Sequence, residues 1–158
     1  METGQQSEPA MSTVGGADVL LVEDDVIHAE LTMRALRRCG FAHRVEHVTD
    51  GTEALEYIAS VSLFAPRHAA LAPKFILLDL GLHKMGGLHV LRHLKSDERT
   101  KSIPIIVLTS SQMTIELVES YKLGVNSYVI KPTDPDKFAE VVAAIGHYWL
   151  TINELPPP

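Results

Sequence analysis

Four short apolar runs, at 18–22 (DVLLV), 75–78 (FILL), 103–108 (IPIIVL) and 127–130 (SYVI), constrain this chain more than any other feature. An unbroken apolar run of this length is too short for a buried helix and lacks the alternation of a half-exposed strand. It suits a strand covered on both faces, as in a parallel sheet. A weaker fifth strand is expected at Arg44–Val48, where only Val45 and Val48 are apolar.

Helical periodicity fills the intervals. Between Val26 and Cys39 the residues Ile27, Leu31 and Ala35 recur every four positions, and Gly40 is a natural stop. Gly51–Ser60 carries Ala54, Leu55 and Ile58; Leu88–Lys95 carries Val90, Leu91 and Leu94; Met113–Lys122 ends before Gly124. A last helix sets Phe138, Val141, Val142, Ile145 and Trp149 on one face. Val61–Pro73 fits neither pattern, although Leu63, Phe64 and Leu71 imply partial burial. Five strands alternating with five helices predict an α/β, doubly wound (βα)5 domain. Right-handed crossovers leave the flavodoxin-like strand order 2-1-3-4-5 as the expected topology. The expected organisation is a disordered tail over 1–16, one domain over 17–150 and an extension over 151–158.

Charge and composition exclude several functions. With 14 basic against 20 acidic residues, a net charge of −6, the chain lacks the basic stripe of a nucleic-acid-binding surface. No apolar run approaches the roughly 20 residues that span a bilayer, and the polar N-terminus lacks a secretory pattern, so a cytoplasmic location is expected. The single cysteine, Cys39, allows no internal disulfide and reads as a small buried residue. His89 and His93 have a spacing that could bind zinc, but they lack a third ligand and fall on the solvent side of their helix.

In an open parallel sheet, ligands bind beyond the carboxyl ends of the strands. Here those ends carry Glu23-Asp24-Asp25, Asp79, Thr109 and Lys131. Crowded acids repel unless a cation neutralises them, and a hard ion such as Mg²⁺ prefers oxygen donors. Asp24 and Asp79 are candidate direct ligands, and Glu23 could hold a metal-bound water. Lys131 and the cation would screen an arriving phosphoryl group, and the Thr109 hydroxyl could donate to one of its oxygens. Phosphoryl transfer to a carboxylate is the chemistry such a set supports, through positioning and charge stabilisation. Asp25, nearest the helix, reads as its opening residue.

The segments LLVEDD (Leu20–Asp25), ILLDL (Ile76–Leu80), PIIVLTS (Pro104–Ser110) and YVIKP (Tyr128–Pro132), with their spacings, resemble the landmark blocks of two-component receiver domains. The resemblance covers about residues 18 to 150. It implies Asp79 as phosphoacceptor, Glu23 and Asp24 as the acidic metal pair, and the Gly81 carbonyl as a further metal contact. It also implies Thr109 as switch hydroxyl, Lys131 as phosphate-contacting lysine, Tyr128 as the switching aromatic, and a cis Lys131–Pro132 bond. The stretch Val61–Pro73, YKLGVNSYVIKP and HYWLTINELP resemble single-domain regulators paired with bacterial phytochromes, which implies a light-sensing histidine kinase as partner. His83 and Gly86 depart from the usual Pro and Asp of the loop after the phosphoacceptor.

Three rivals remain. A haloacid-dehalogenase-like aspartyl phosphatase needs a second Asp two residues after the nucleophile, where this chain has Gly81. A flavodoxin needs a hydroxyl- and glycine-rich phosphate loop where this chain has EDD. A pseudo-receiver would not need Asp79, Thr109 and Lys131 together. No output domain is expected after Trp149, so output falls to protein contact. The apolar run Val141–Ile145, with Leu117, Tyr121, Trp149, Leu150 and Ile152, predicts a homodimer through the C-terminal helices.

Overall fold

The structure, a computed structural model, describes residues 16–40, 44–63 and 71–157. Its strands are β1 (Val19–Val22), β2 (Val45–Val48), β3 (Phe75–Leu78), β4 (Ile105–Thr109) and β5 (Ser127–Ile130). Its helices are α1 (Val26–Arg38), α2 (Gly51–Leu63), α3 (Gly87–Ser96), α4 (Thr114–Leu123) and α5 (Pro135–His147), followed by a π-helical turn over Tyr148–Ile152. All strand pairs are parallel, in the order β2-β1-β3-β4-β5. This is the flavodoxin-like doubly wound fold that the sequence predicts.

The reason the three central strands are apolar up to Thr109 at the end of β4 is visible in the two cores. Successive strand residues point to opposite faces. Leu20, Val22, Ile76, Leu78, Ile105 and Val107 pack on one side with Ala54 and Ile58 of α2 and Val90, Leu91 and Leu94 of α3. Val19, Leu21, Phe75, Leu77, Ile106 and Leu108 pack on the other with Ala29, Ala35 and Leu36 of α1 and Phe138, Val142 and Ile145 of α5. The edge strands β2 and β5 are only partly covered, consistent with their mixed sequences.

Caps fix the helix ends. Asp25 accepts from the His28 amide at 3.0 Å to open α1, and Asp134 accepts from the Asp136 and Lys137 amides to open α5 ahead of Pro135. Gly124 closes α4 at φ 98°, a left-handed conformation natural to glycine.

Several boundaries and burials differ from expectation. β4 starts at Ile105 rather than Ile103, because Pro104 has no N–H to donate; its carbonyl instead accepts from Ile76 N at 2.9 Å. α2 extends to Leu63, and Met113 caps α4 rather than joining it. In α1 the buried face is Ala29, Thr32, Ala35 and Leu36, while Ile27 is 71% exposed in the first turn. Cys39 is half-buried. His89 and His93 are exposed. The Lys131–Pro132 bond is trans, since the described residues contain no cis peptide; trans remains the favoured form even before proline. The tail expected over 1–16 lies, apart from Gly16, outside the described residues, as do residues 64–70 of the Val61–Pro73 segment.

Candidate functional site at the strand ends

Ladder hydrogen bonds continue one residue past three of the strands and set the site. Glu23 N donates to Val48 O at 3.1 Å, Asp79 N to Val22 O at 3.1 Å, and Lys131 N to Thr109 O at 2.8 Å. Sheet register therefore holds these residues along one edge.

The carboxylates of Glu23, Asp24 and Asp79 each bring an oxygen within 4.8 Å of the others. Lys131 Nζ lies 2.5 Å from Glu23 Oε2 and 3.4 Å from Asp79 Oδ2. The side chains of Lys131 and Glu23 are both 3% exposed, and that of Asp79 is 11% exposed. Burial pushes the Glu23 carboxyl up to about 7, with the Asp79 charge adding to the rise and Lys131 opposing it. The Asp25 side chain caps α1, as the sequence suggests, while the residue also borders the cavity at Asp79.

Thr109 is buried at the end of β4, where its hydroxyl oxygen accepts from Ser111 N at 3.2 Å. Tyr128, half-buried on β5, donates weakly to Ser111 O at 3.4 Å. Gly81 N donates to Asp79 Oδ1 at 3.2 Å. A Cβ at Gly81 would lie 3.8 Å from both Asp79 carboxylate oxygens, so a side chain there would border the site directly. Glu23, Asp24, Asp79, Gly81, Thr109 and Lys131 thus converge; all but Glu23 line one cavity of about 490 Å³, with Ser111 and Glu116 at its α4 side.

Two histidines join the site without a clear signal in the sequence. His83 donates its backbone N–H to Asp24 Oδ2 at 3.1 Å, and its ring Nδ1 bonds the same oxygen. The carboxylate beside it raises the His83 pKa. His28, on α1, places Nδ1 3.0 Å from Lys131 Nζ. Its partner lies 103 positions away in the sequence, so only folding supplies it.

This donor set fits a hard divalent cation. All its side-chain ligands are carboxylate oxygens, and the cluster of three carboxylates has one buried ammonium, paired with Glu23 and Asp79, an imbalance that a divalent ion would correct. A doubly wound sheet carrying an acidic cluster, a buried lysine and a hydroxyl on its carboxyl edge defines a phosphoacceptor-type signalling domain.

Residues 19–143 match the response regulator receiver domain, and the chain belongs to that family. It is 42% identical over 140 residues, 89% of this chain and 88% of the relative, to a probable methanogenesis regulatory protein, FilR2, of Methanothrix harundinacea. It is 32% identical over 140 residues, 87% of this chain and 92% of the relative, to response regulator Rcp1 of Synechocystis. The Mn²⁺-bound crystal structure of Rcp1 superposes with a TM-score of 0.77, covering 88% of this chain and 98% of that one at 31% identity. The phosphorylated cyanobacterial phytochrome response regulator RcpA superposes with a TM-score of 0.78 at 34% identity, covering 90% of this chain and 99% of that one. The protein is therefore a receiver-domain response regulator, of a class that signals rather than turning over a substrate. The phosphatase and pseudo-receiver readings are not favoured.

Proposed function

We propose that Asp79 accepts a phosphoryl group from a phosphohistidine of a sensor kinase, with Mg²⁺ held by Glu23, Asp24, Asp79 and the Gly81 carbonyl. The observation that carries this reading is the Lys131 ammonium held between Glu23 and Asp79 at the edge that also presents Thr109. Bound Mg²⁺ would supply charge neutralisation for an otherwise repelled anion. An Asp79 carboxylate oxygen forms the new O–P bond while the donor's P–N bond breaks and its electron pair leaves with the imidazole. Lys131 takes a phosphoryl oxygen as the incoming charge draws its ammonium from Glu23. Thr109 turns its hydroxyl toward another, and Tyr128 fills the space behind it. Gly81 offers no acid at the position where an aspartyl phosphatase needs one, so the protein assists its own phosphorylation without being a turnover enzyme.

The phytochrome class of kinase is the partner we assign, supported by the likeness to RcpA. The receiver unit spans 17–150, flanked by a tail and a short extension, and works in the cytoplasm; no helix among the described residues is long and apolar enough to cross a membrane. It contacts protein rather than nucleic acid, in keeping with its net charge of −6. A homodimer through the C-terminal helices is supported by α4, where Ile115, Val118 and Tyr121 are 70, 45 and 55% exposed, and by Ile152 at 55%. Val141, Trp149 and Leu150 contribute less than the sequence suggests, because they pack against the protein's own core.

The test is incubation with radiolabelled acetyl phosphate. Label should appear with Mg²⁺ and vanish with excess chelator; equal labelling in both, or none in either, would overturn the reading.

A further inference from the structure

We propose that His28 is a positioning residue that holds the Lys131 ammonium against Asp79, a role resting on the phosphoacceptor reading above.

An ammonium has three N–H donors and no acceptor. Lys131 directs its donors at Glu23 Oε2 (2.5 Å), His28 Nδ1 (3.0 Å) and Asp79 Oδ2 (3.4 Å). Since the ammonium can only donate, His28 Nδ1 is the acceptor and the ring proton resides on Nε2. The nearby Asp25 Oδ2 is 4.0 Å from Nδ1, beyond hydrogen-bond reach, so Lys131 is the partner of that nitrogen.

Backbone and ring are each held. The His28 amide is fixed by the Asp25 cap. Its imidazole stacks on Phe138 of α5, with centroids 6.1 Å apart and planes at 27°. It also borders both the cavity at Asp79 and a second cavity of about 270 Å³ lined by Gln112, Pro132, Thr133 and Phe138. Lys131 lies between the two cavities. Without an acceptor at position 28, the third N–H would seek water in the second cavity, and the ammonium could turn from Asp79. A phosphoryl group would then meet a lysine that must first reorient, which is the kind of misplacement that slows a transfer governed by positioning.

Two substitutions separate this role from packing. His28→Phe keeps a ring for Phe138 and removes the acceptor. His28→Asn removes the ring but places Oδ1 as many bonds from Cβ as the imidazole Nδ1. The phosphorylation rate with acetyl phosphate and Mg²⁺ should fall about tenfold in the Phe variant, the effect of losing one charged hydrogen bond, and stay within about threefold of wild type in the Asn variant. The reverse order, or equal rates in all three, would remove His28 from the mechanism. A second arm needs no metal and no phosphate. In chelator-treated protein, long-range ¹H–¹⁵N spectra should show His28 Nδ1 without a proton and shifted by Lys131→Met; a proton on Nδ1, or no shift, would overturn the contact. Absence of label on wild type would instead refute the phosphoacceptor reading itself.

Discussion

Lys131 Nζ lies 2.5 Å from Glu23 Oε2, two side chains separated by 108 residues of sequence and each almost wholly buried. The pair joins the end of β5 to the end of β1 across the two strands between them. Breaking such a pair by removing one partner leaves an uncompensated buried charge, so the lysine is held in readiness at a defined place. The ammonium is also 3.4 Å from Asp79. A small rotation therefore transfers it from one carboxylate to a group carried by the other.

Thr109 and Tyr128 form the proposed route out of the site. Both make bonds to Ser111, through the Thr109 hydroxyl and the Tyr128 phenol. A phosphoryl group that draws Thr109 inward would bias an existing equilibrium of the aromatic. Thr109→Ala should accept phosphate yet lose the change in Tyr128 ring chemical shifts between free and phosphorylated protein. The same ring shifts in variant and wild type would remove Thr109 from the switch.

His83 competes for a candidate metal ligand, because its N–H and its ring both bond Asp24 Oδ2. His83→Ala should bind Mg²⁺ about fivefold more tightly, the effect of releasing about 1 kcal/mol of hydrogen bonding at that oxygen. Isothermal titration measures this directly. Weaker binding in the variant would show that the imidazole helps the ion instead.

Lys95 offers a stability test away from the site. Its ammonium donates to Lys101 O, Ile103 O and Asn126 Oδ1, each at 2.9 Å. Burial lowers its pKa from 10.5 to about 8. Between those values the unfolded chain binds the proton and the folded chain releases it, so this group makes stability rise with pH across that window. Below about 8 both states are protonated and the contribution is flat. The stability of wild type minus that of Lys95→Met, from urea denaturation, should therefore increase from pH 8 to 10. A constant or falling difference would contradict the assigned direction.

The exposed apolar residues of α4 carry the dimer proposal. The full chain should sediment as a dimer at tens of micromolar, and Ile115→Glu with Val118→Glu should sediment as a monomer of unchanged circular dichroism. A monomeric full chain, phosphorylated or not, would defeat the proposal.

The sequence made the central sheet legible because β1, β3 and β4 are covered on both faces and so have unbroken apolar runs. It misplaced the start of β4, where Pro104 looks like strand by hydropathy yet cannot donate to the ladder. The four-residue spacing of Ile27, Leu31 and Ala35 marks one helical face, although the first turn of α1 leaves the Ile27 side chain 71% exposed. The acids, hydroxyl and lysine of the site could be read because strand ends in a parallel sheet share one edge. The contacts of His28 with Lys131 and of His83 with Asp24 could not, since they join residues 103 and 59 positions apart through side-chain directions that no local pattern encodes.

The central claim is that Asp79 carries the phosphoryl group. Wild type and Asp79→Asn, each treated with acetyl phosphate and Mg²⁺, can be digested and mapped by mass spectrometry. The account predicts one phosphoryl group on the peptide containing Asp79 in wild type, and none on a variant that keeps its circular dichroism and melting transition. Undiminished phosphate on Asp79→Asn, or phosphate on a histidine or another carboxylate of the wild type, would contradict it.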